Sequence, residues 1–211
     1  MEDFPLKPKL ILSDQDSRVL DAWRSQLQRW PDVEIRSEDP LQTAADALLL
    51  PGNSFGLLDA GLEFRVLEAG GWETQDELRQ IIQDRFDGEL LVGQAAILRR
   101  ASLPRPIVYA PIWRIPWPLA NTVNVFLAVR GALLALKKDA ATPPLVSLVV
   151  PAMGVAAPGG LDPRISARQI RYAYEIAAGL RGPGDKNLGQ ISKRQKKLQS
   201  VPLEIKEERD D

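Results

Sequence analysis

One stretch decides the fold of this chain, Ala47-Leu-Leu-Leu-Pro-Gly-Asn-Ser-Phe-Gly-Leu-Leu-Asp-Ala-Gly61, which joins a short apolar run to a loop of small residues. An unbroken apolar run that is stopped by Pro51-Gly52 predicts a strand buried on both faces. A second stretch has the same design, with the apolar run Leu145–Val150 followed by Pro151-Ala-Met-Gly-Val-Ala-Ala-Pro-Gly-Gly160. Both loops are therefore expected at the carboxyl edge of a covered sheet, where α/β proteins bind ligands.

Strands and helices alternate along the rest of the chain. Further strands are predicted at Lys9–Ser13, Val33–Arg36, Gly93–Leu98 and Pro106–Ala110. Helical patterns span Val19 to Trp30, the capping-box sequence Thr74–Glu77 with the residues to Phe86, Pro118 to about Lys138, and the segment opened by Asp162-Pro163. This alternation predicts a three-layer α/β/α sandwich with a mixed, largely parallel central sheet.

Composition limits the chemistry that the chain can perform. The 211 residues include neither His nor Cys, which excludes disulfides, Cys/His zinc sites, thiol nucleophiles and any catalytic triad built on imidazole. Acid–base work falls to Asp, Glu, Tyr, Lys or water, and no metal or cofactor is expected. The net charge of −1 gives no general attraction to nucleic acid or to an anionic membrane.

The apolar segments and the N-terminus indicate where in the cell the protein is expected. The charge-free stretch 140–161 is interrupted by prolines and glycines, and the N-terminus lacks the apolar run of a signal peptide. We therefore expect a cytoplasmic protein with no membrane partner. Residues 1–180 are predicted to form a single domain, and residues 181–211 a polar, disordered tail. The basic segment Lys193–Lys197 is only a weak signal for nucleic acid.

Several motifs occur in a familiar order: Val33–Asp39, Ala45–Ser54, Val92-Gly-Gln-Ala95, Val108–Trp113 and Val149–Gly154. From Val33 to Ala178 the chain resembles the macro domains, which are α/β/α modules that bind ADP-ribose, as a divergent member of the bacterial type. Two departures stand out. Leu57, Leu58 and Asp59 replace part of a glycine run, and the second loop has Val155-Ala-Ala-Pro158 where the family has Thr-Gly and an aromatic residue.

The resemblance implies roles for individual residues. Asp39 would accept a hydrogen bond from the adenine amino group, Asn53 would contact the distal ribose, and the loop from Gly154 to Gly160 would hold the diphosphate. Trp113, with Trp117 close by, would replace the missing stacking aromatic. The residues expected to bind the ligand are Asp39, Asn53, Ser54, Gly56, Trp113, Gly154, Val155, Ala156, Ala157 and Gly159.

The resemblance also allows hydrolysis of ADP-ribosyl linkages, with Asn53, Asp59 and Glu63 as the candidate catalytic residues. Either carboxylate could activate a water, and both could equally be ordinary surface charges. We expect a protein that binds ADP-ribose or a related NAD-derived metabolite, free or attached to a substrate. Two alternatives stay open: a degenerate macro-fold module for structure or protein interaction, and a nucleic-acid-associated factor that works through Lys193–Lys197.

Overall fold

A computed structural model describes residues 8–156, 159–180 and 187–201. The strands are β1 (Lys9–Ser13), β2 (Val33–Arg36), β3 (Ala47–Asn53), β4 (Ala96–Leu98), β5 (Ile107–Trp113) and β6 (Ser147–Val150). The helices are α1 (Ser17–Leu27), α2 (Gly61–Gly70), α3 (Glu73–Phe86), α4 (Asn124–Lys138), α5 (Pro163–Ala177) and α6 (Leu188–Gln199). Over the described residues, none of these helices has the length and apolar character needed to span a membrane.

The six strands form one sheet in the order β2-β1-β6-β3-β5-β4. All neighbouring pairs are parallel except β4 and β5, which are antiparallel. The prediction of a mixed, largely parallel sheet is therefore confirmed. The loops after β3 and β6 leave the same edge of the sheet because their strands are parallel neighbours.

Helices cover both faces of the sheet, so the three-layer architecture is confirmed as well. Side chains alternate between the two faces of a strand. In β3, Ala47 and Leu49 belong to the core beneath α1, α4 and α5, whereas Leu48 and Leu50 belong to the core beneath α2 and α3. A central strand buried on both sides must be apolar at every position, which is why its sequence shows no alternation.

Strand β3 continues past Pro51-Gly52, where the sequence predicted its end. Pro51 and Gly52 pair with β5, whereas the pairing of β3 with β6 involves only Ala47 and Leu48. Amide groups alternate sides along a strand, and the Leu48 amide donates to Pro106 next to β5. Pro51 therefore turns its missing N–H toward the β6 side, where pairing has already ended, and the strand tolerates it.

Helix α3 begins earlier than the capping-box pattern predicted. Its N-cap residue is Trp72, which makes no side-chain cap, and Thr74 lies buried in the first turn. The reason is the tight connection from α2, since the Thr74 amide already donates to Gly71 O and the Gln75 amide to Trp72 O. The turn that ends α2 therefore starts α3 before Thr74, the first residue of the capping-box pattern.

The segment from Ser37 to Asp46 joins two parallel strands by crossing the α2/α3 side of the sheet. Thr43 is buried, with its Oγ1 2.6 Å from Ser13 Oγ. Arg105 donates to the carbonyl oxygens of Thr43 and Leu41. Ser13 ends β1 and Arg105 precedes β5, so these contacts hold the segment at both edges of the sheet as it crosses. Thr43 also donates to Asp39 O at 2.9 Å, which keeps Asp39 close to the end of β1.

Residues 187–201 are not the disordered tail that the sequence predicted, because they contain helix α6. Leu198 is buried, Arg168 of α5 donates to Lys197 O at 2.8 Å and to Ser200 O at 3.1 Å, and Gln169 donates to Leu198 O at 3.1 Å. One buried apolar residue leaves no periodic pattern to detect, so the sequence could not indicate this docking. The rest of the predicted tail lies outside the described residues.

Candidate functional site

A cleft of about 430 Å³ opens at the carboxyl ends of β1, β3, β5 and β6. Its walls come from the loop after β3, the start of α2, the end of β5 and the loop after β6. The lining residues are Asp14, Pro40, Pro51, Asn53, Asp59, Ala60, Gly61, Leu62, Glu63, Arg65, Ile112, Trp113, Pro116, Pro151, Ala152, Gly154 and Ala156. This is the edge of an open α/β sheet at which ligands bind.

A larger surface depression, of about 640 Å³, shares no lining residue with this cleft. It is bounded by α3, the edge strand β4 and the end of α4. Neither predicted loop contributes a described residue to its lining, and two of its charged residues, Arg99 and Asp139, pair with each other. We therefore assign the candidate site to the smaller cleft.

Asn53 stands at the cleft wall, but its side chain is bonded to its own loop. Its Oδ1 accepts from the amides of Phe55 at 3.0 Å and Leu57 at 3.3 Å, and its Nδ2 donates to Leu57 O at 2.7 Å. The side chain thereby closes residues 53–57 into a compact turn. Ser54 and Gly56 are buried behind this wall and do not line the cleft.

Gly154 forms the turn of the second loop and requires its lack of a side chain. Its φ is +69°, and a Cβ at this position would lie 2.6 Å from Leu119 Cδ1. The Leu161 amide donates to Gly154 O at 2.8 Å, and the Leu119 amide donates to Gly159 O at 3.1 Å. The loop is thus tied at two points to its surroundings.

Some of the predicted second-loop residues face elsewhere. Ala156 lines the cleft with Gly154, whereas Val155 and Gly159 do not. Ala157 and Pro158 lie outside the described residues.

Asp39, which is predicted to contact adenine, is hydrogen-bonded within the protein at the rim. Its Oδ1 accepts from the Leu41 amide at 3.0 Å, and its Oδ2 accepts from the Arg65 guanidinium of α2. The hydrogen bond from Arg65 holds the pKa of Asp39 below its usual range. Arg65 and Pro40 line the cleft, but Asp39 does not.

Asp14 also lines the cleft, although it is not among the site residues predicted from the sequence. It follows β1 directly, and its Oδ1 accepts from the Asp16 amide at 2.8 Å. Its position could have been inferred, because a polar residue at the end of a buried parallel strand lies at the same edge as the two loops. The charged residues that line the cleft are Asp14, Asp59, Glu63 and Arg65.

Glu63 is a buried carboxyl group in the cleft wall, with 8% of its surface exposed. Burial raises the pKa of Glu63 to about 8, and the nearby Asp59 charge acts in the same direction, whereas the Tyr109 hydroxyl opposes the rise when it donates to the carboxylate. Its Oε1 lies 3.2 Å from that hydroxyl. The helix position that the sequence allowed to be solvent-exposed is therefore buried, because α2 turns this face toward the sheet.

Tyr109 was missed by the sequence analysis as a site residue. It is fully buried in β5, and its hydroxyl lies 2.7 Å from Asn53 O and 2.9 Å from Asn53 N. Gly52 makes this approach feasible, because a Cβ there would lie 2.2 Å from the Tyr109 hydroxyl and 2.3 Å from Glu63 Oε1. The only signal in the sequence was a tyrosine within an otherwise apolar strand.

Trp113, rather than Trp117, is the aromatic residue of the cleft. Trp113 lines it, and its indole N–H is buried with no hydrogen-bond partner among the described residues. Trp117 is 72% exposed and lies outside the lining. The predicted aromatic wall is therefore available from Trp113 alone.

The structure brings six predicted residues together around one cleft: Asn53, Asp59, Glu63, Trp113, Gly154 and Ala156. These residues come from β3, α2 and its preceding loop, β5 and the loop after β6. Their roles stay predictions, because shared position does not identify a ligand.

Comparison with known proteins identifies the fold. No protein-family model matches the chain, and no curated protein does. The macrodomain of Mycobacterium tuberculosis DarG matches with 20% identity and a TM-score of 0.52, over 67% of this chain and 88% of that one. A point mutant of the Oceanobacillus iheyensis macrodomain matches with 17% identity and a TM-score of 0.54, over 83% of this chain and 82% of that one.

The macrodomain of Thermus aquaticus DarG matches with 19% identity and a TM-score of 0.53, over 65% of this chain and 87% of that one. At such identities the agreement concerns backbone architecture. The expectation of a macrodomain-like α/β/α fold is thereby confirmed.

Proposed function

We propose that this chain, which has the macrodomain fold, binds ADP-ribose or a related NAD-derived nucleotide, either free or attached to a larger substrate. The observation that carries the proposal is the cleft of about 430 Å³ between the loops after β3 and β6. Its volume falls within the range of small-molecule sites, and its position is the ligand-binding edge of an α/β sheet.

In this proposal the ligand runs across the carboxyl ends of the strands. The distal ribose lies beside Asn53, Asp59 and Glu63, and the diphosphate follows the loop that contains Gly154. Arg65 is the one basic residue among the described residues that line the cleft, and it is paired with Asp39. The diphosphate therefore depends mainly on backbone N–H groups, which suits a loop of small residues.

Hydrolysis of an ADP-ribosyl linkage is a second, narrower proposal. Asp59 is exposed and lines the cleft, so its carboxylate has access to water. Glu63 is the weaker candidate at neutral pH, because burial raises its pKa to about 8 and leaves most of it protonated. In this proposal Asp59 accepts a proton from the water as the water oxygen bonds to the anomeric carbon of the distal ribose. The bond from that carbon to the substrate group breaks, and the departing group takes up the proton, while Asn53 keeps the loop in place.

A different class of function is favoured by two observations. The Asn53 side chain is bonded within its loop, and Asp39 is bound to Arg65, so both polar groups expected to read the ligand are engaged elsewhere. A degenerate macrodomain would use this surface for protein contacts, for which Ile115 and Trp117 expose apolar area beside the cleft. The nucleic-acid alternative has weaker support, in the exposed Lys193, Lys196 and Lys197 of α6.

Isothermal titration calorimetry with ADP-ribose, ADP, AMP and NAD separates these functions. We expect saturable heat with ADP-ribose and a weaker signal with AMP, which lacks the distal ribose. Replacing Gly154 with Val should abolish binding by displacing the second loop, because a side chain there would collide with Leu119. Glu68→Gln, on the exposed side of α2, serves as the control. No heat with any of the four ligands at millimolar concentration would favour the degenerate module.

A further inference from the structure

The Tyr109 hydroxyl has three polar neighbours and one proton. The oxygen lies 2.7 Å from Asn53 O, 2.9 Å from Asn53 N and 3.2 Å from Glu63 Oε1. Burial raises the pKa of Tyr109, so the hydroxyl keeps its proton. The Asn53 amide can only donate, and Asn53 O can only accept.

The shorter distance decides where the Tyr109 proton goes. Asn53 O, at 2.7 Å, is the nearer acceptor for the single Tyr109 proton, whereas Glu63 Oε1, at 3.2 Å, is at the distance of a longer and weaker hydrogen bond. With its proton on Asn53 O, the Tyr109 oxygen presents a lone pair to Glu63. A carboxylate there would face that lone pair without a proton between them, but a carboxylic acid would donate one.

The surroundings of Glu63 also oppose a negative charge. The residue is buried at the cleft wall, and the Asp59 charge raises its pKa further. Desolvation and a like charge both favour the neutral form of a carboxyl group. Gly52 leaves no space for a methyl group between the backbone, Tyr109 and Glu63, so the contact is tight.

We propose that Glu63 is a neutral carboxylic acid that donates its proton to the Tyr109 hydroxyl, and that Tyr109 is thereby a positioning residue of the cleft. The chain of donors runs from Glu63 through Tyr109 to Asn53 O. It leaves Glu63 Oε2 to accept a hydrogen bond from a hydroxyl of the ligand. The consequence of this assignment for binding rests on the proposed function. It is that the cleft binds a diphosphate-bearing ligand while Glu63 is protonated, and that the affinity falls as Glu63 ionises.

The other charged groups near Glu63 come from several elements. The cleft contains Asp59 from the loop before α2, Arg65 from α2 itself and Asp14 from the end of β1. β3, which packs against α2, carries no ionisable side chain over Ala47–Asn53, and β5 contributes only Tyr109 over Ile107–Trp113. No group on α3 is among those that act on the Glu63 carboxyl. Ionisation of Glu63 would therefore add a further carboxylate to a cleft in which Arg65 is the one arginine among the described lining residues.

Carboxyl NMR of the protein without ligand tests the protonation directly. With ¹³C-labelled glutamate, the Glu63 signal is the one missing from Glu63→Gln. We expect it to titrate near pH 8, whereas a midpoint near the ordinary value of about 4.3 would overturn the proposal.

The Tyr109→Phe variant tests the direction of the hydrogen bond. If Glu63 donates to Tyr109, removing the hydroxyl destabilises the acid and shifts the midpoint to lower pH, by about one pH unit. If Tyr109 donates to a carboxylate instead, the midpoint shifts to higher pH, and the assigned role of Tyr109 is wrong. Should this variant fail to fold, the wild-type midpoint and the pH dependence of Glu63→Gln unfolding still decide the state of Glu63.

The affinity for ADP-ribose tests the consequence for binding. If ADP-ribose binds only when Glu63 is neutral, a midpoint of about 8 leaves about one tenth of the sites able to bind at about pH 9. The affinity should therefore fall about tenfold between about pH 6.5 and about pH 9. Glu68→Gln should keep this pH dependence, and Glu63→Gln should lose it. A wild-type affinity that is equal at both pH values would contradict the implied pH control. Absence of binding at any pH would instead count against the proposed function, while the NMR midpoint still decides the state of Glu63.

Discussion

Arg65 donates a hydrogen bond to Asp39, and this contact joins α2 to the segment after β2 at the rim of the cleft. The two residues are 26 positions apart in the sequence. As an exposed ion pair it adds little to folding stability, with a typical contribution of about 0–1 kcal/mol. The contact matters for the proposed function, because in that proposal Arg65 occupies the carboxylate that would contact the base.

If Asp39 contacts adenine, Arg65 competes with the ligand. Asp39→Ala should weaken ADP-ribose binding by about 1–3 kcal/mol, in line with loss of a hydrogen bond to a charged group. Arg65→Ala should strengthen the preference for AMP over IMP, because the freed carboxylate favours an amino group over a carbonyl. Calorimetry measures both effects. An Asp39→Ala protein with wild-type affinity would contradict the placement of adenine beside this residue.

Gly52→Ala should destabilise the fold through the Glu63–Tyr109 contact. The added Cβ would lie within 2.3 Å of oxygen atoms of both residues, and overpacking of this kind costs about 1–3 kcal/mol. Urea denaturation measures the loss. Gly61→Ala is the comparison, because its Cβ meets nothing within 4 Å and its cost comes only from a φ of +55°. Equal losses for the two variants would argue against steric contact at Gly52.

The stability of the protein should depend on the ionisation of Glu63. The pKa of Glu63 is about 8 in the folded protein, above its value in the unfolded chain. At pH values between these two pKa values, the folded protein therefore keeps a proton on Glu63 that the unfolded chain has lost. Stability from this group is complete at acid pH, below the pKa of the unfolded chain, and is lost as the pH rises through about 8. At about pH 9, Glu63→Gln should therefore be more stable than the wild type, by on the order of 2–4 kcal/mol.

Thermal unfolding from about pH 5 to about pH 9 measures this difference, with Glu68→Gln as the control. The Glu63→Gln protein should lose less stability than the wild type across that range. A constant difference between the two proteins at all pH values would show that Glu63 does not change its protonation on folding.

If the protein hydrolyses ADP-ribosyl linkages, Asp59 and Glu63 should differ in effect. Asp59→Asn removes the proposed base and should lower the rate by about 10²–10⁴-fold. Glu63→Gln keeps a neutral group and should lower the rate less. Single-turnover release of ADP-ribose from a modified substrate measures both. The reverse order would identify Glu63 as the base and Asp59 as an accessory charge.

Helix α6 should be released by loss of Arg168. This side chain donates to Lys197 O and Ser200 O, and Arg168→Met keeps its length but removes both hydrogen bonds. Trypsin should then cleave more rapidly after Lys193, Lys196 or Lys197. Arg164→Met is the matched control, because Arg164 lies near the start of α5, the helix that also carries Arg168. Unchanged protection of α6 would mean that Leu198 and Gln169 suffice to hold it.

The central architecture could be predicted because a parallel strand that is buried on both faces has an unbroken apolar sequence. The runs Ala47–Leu50 and Leu145–Val150 are apolar at nearly every position, as burial on both faces requires. The loops that follow them therefore lie side by side, and the cleft forms between them. Asn53, Asp59, Glu63, Trp113 and Gly154 could be placed at one edge on this basis, together with the family resemblance.

The contacts within the site could not be predicted, because they depend on the register between elements. Glu63 and Tyr109 are 46 residues apart and meet only because α2 packs over the end of β3 at a glycine. The hydrogen bonds of the Asn53 side chain depend on the turn formed by residues 53–57. The docking of α6 depends on polar side chains of α5. None of these relationships has a periodic signature in the sequence.

The turn closed by Asn53 makes the first wall of the cleft rigid before any ligand arrives. Its three hydrogen bonds to residues 55 and 57 already fix the backbone that a ligand would otherwise have to order. The loss of conformational entropy on binding is correspondingly small for this loop, because folding has already imposed it. If the proposed ligand binds here, its recognition at this wall would depend on shape, because a ligand that does not fit the existing contour gains nothing from rearranging it.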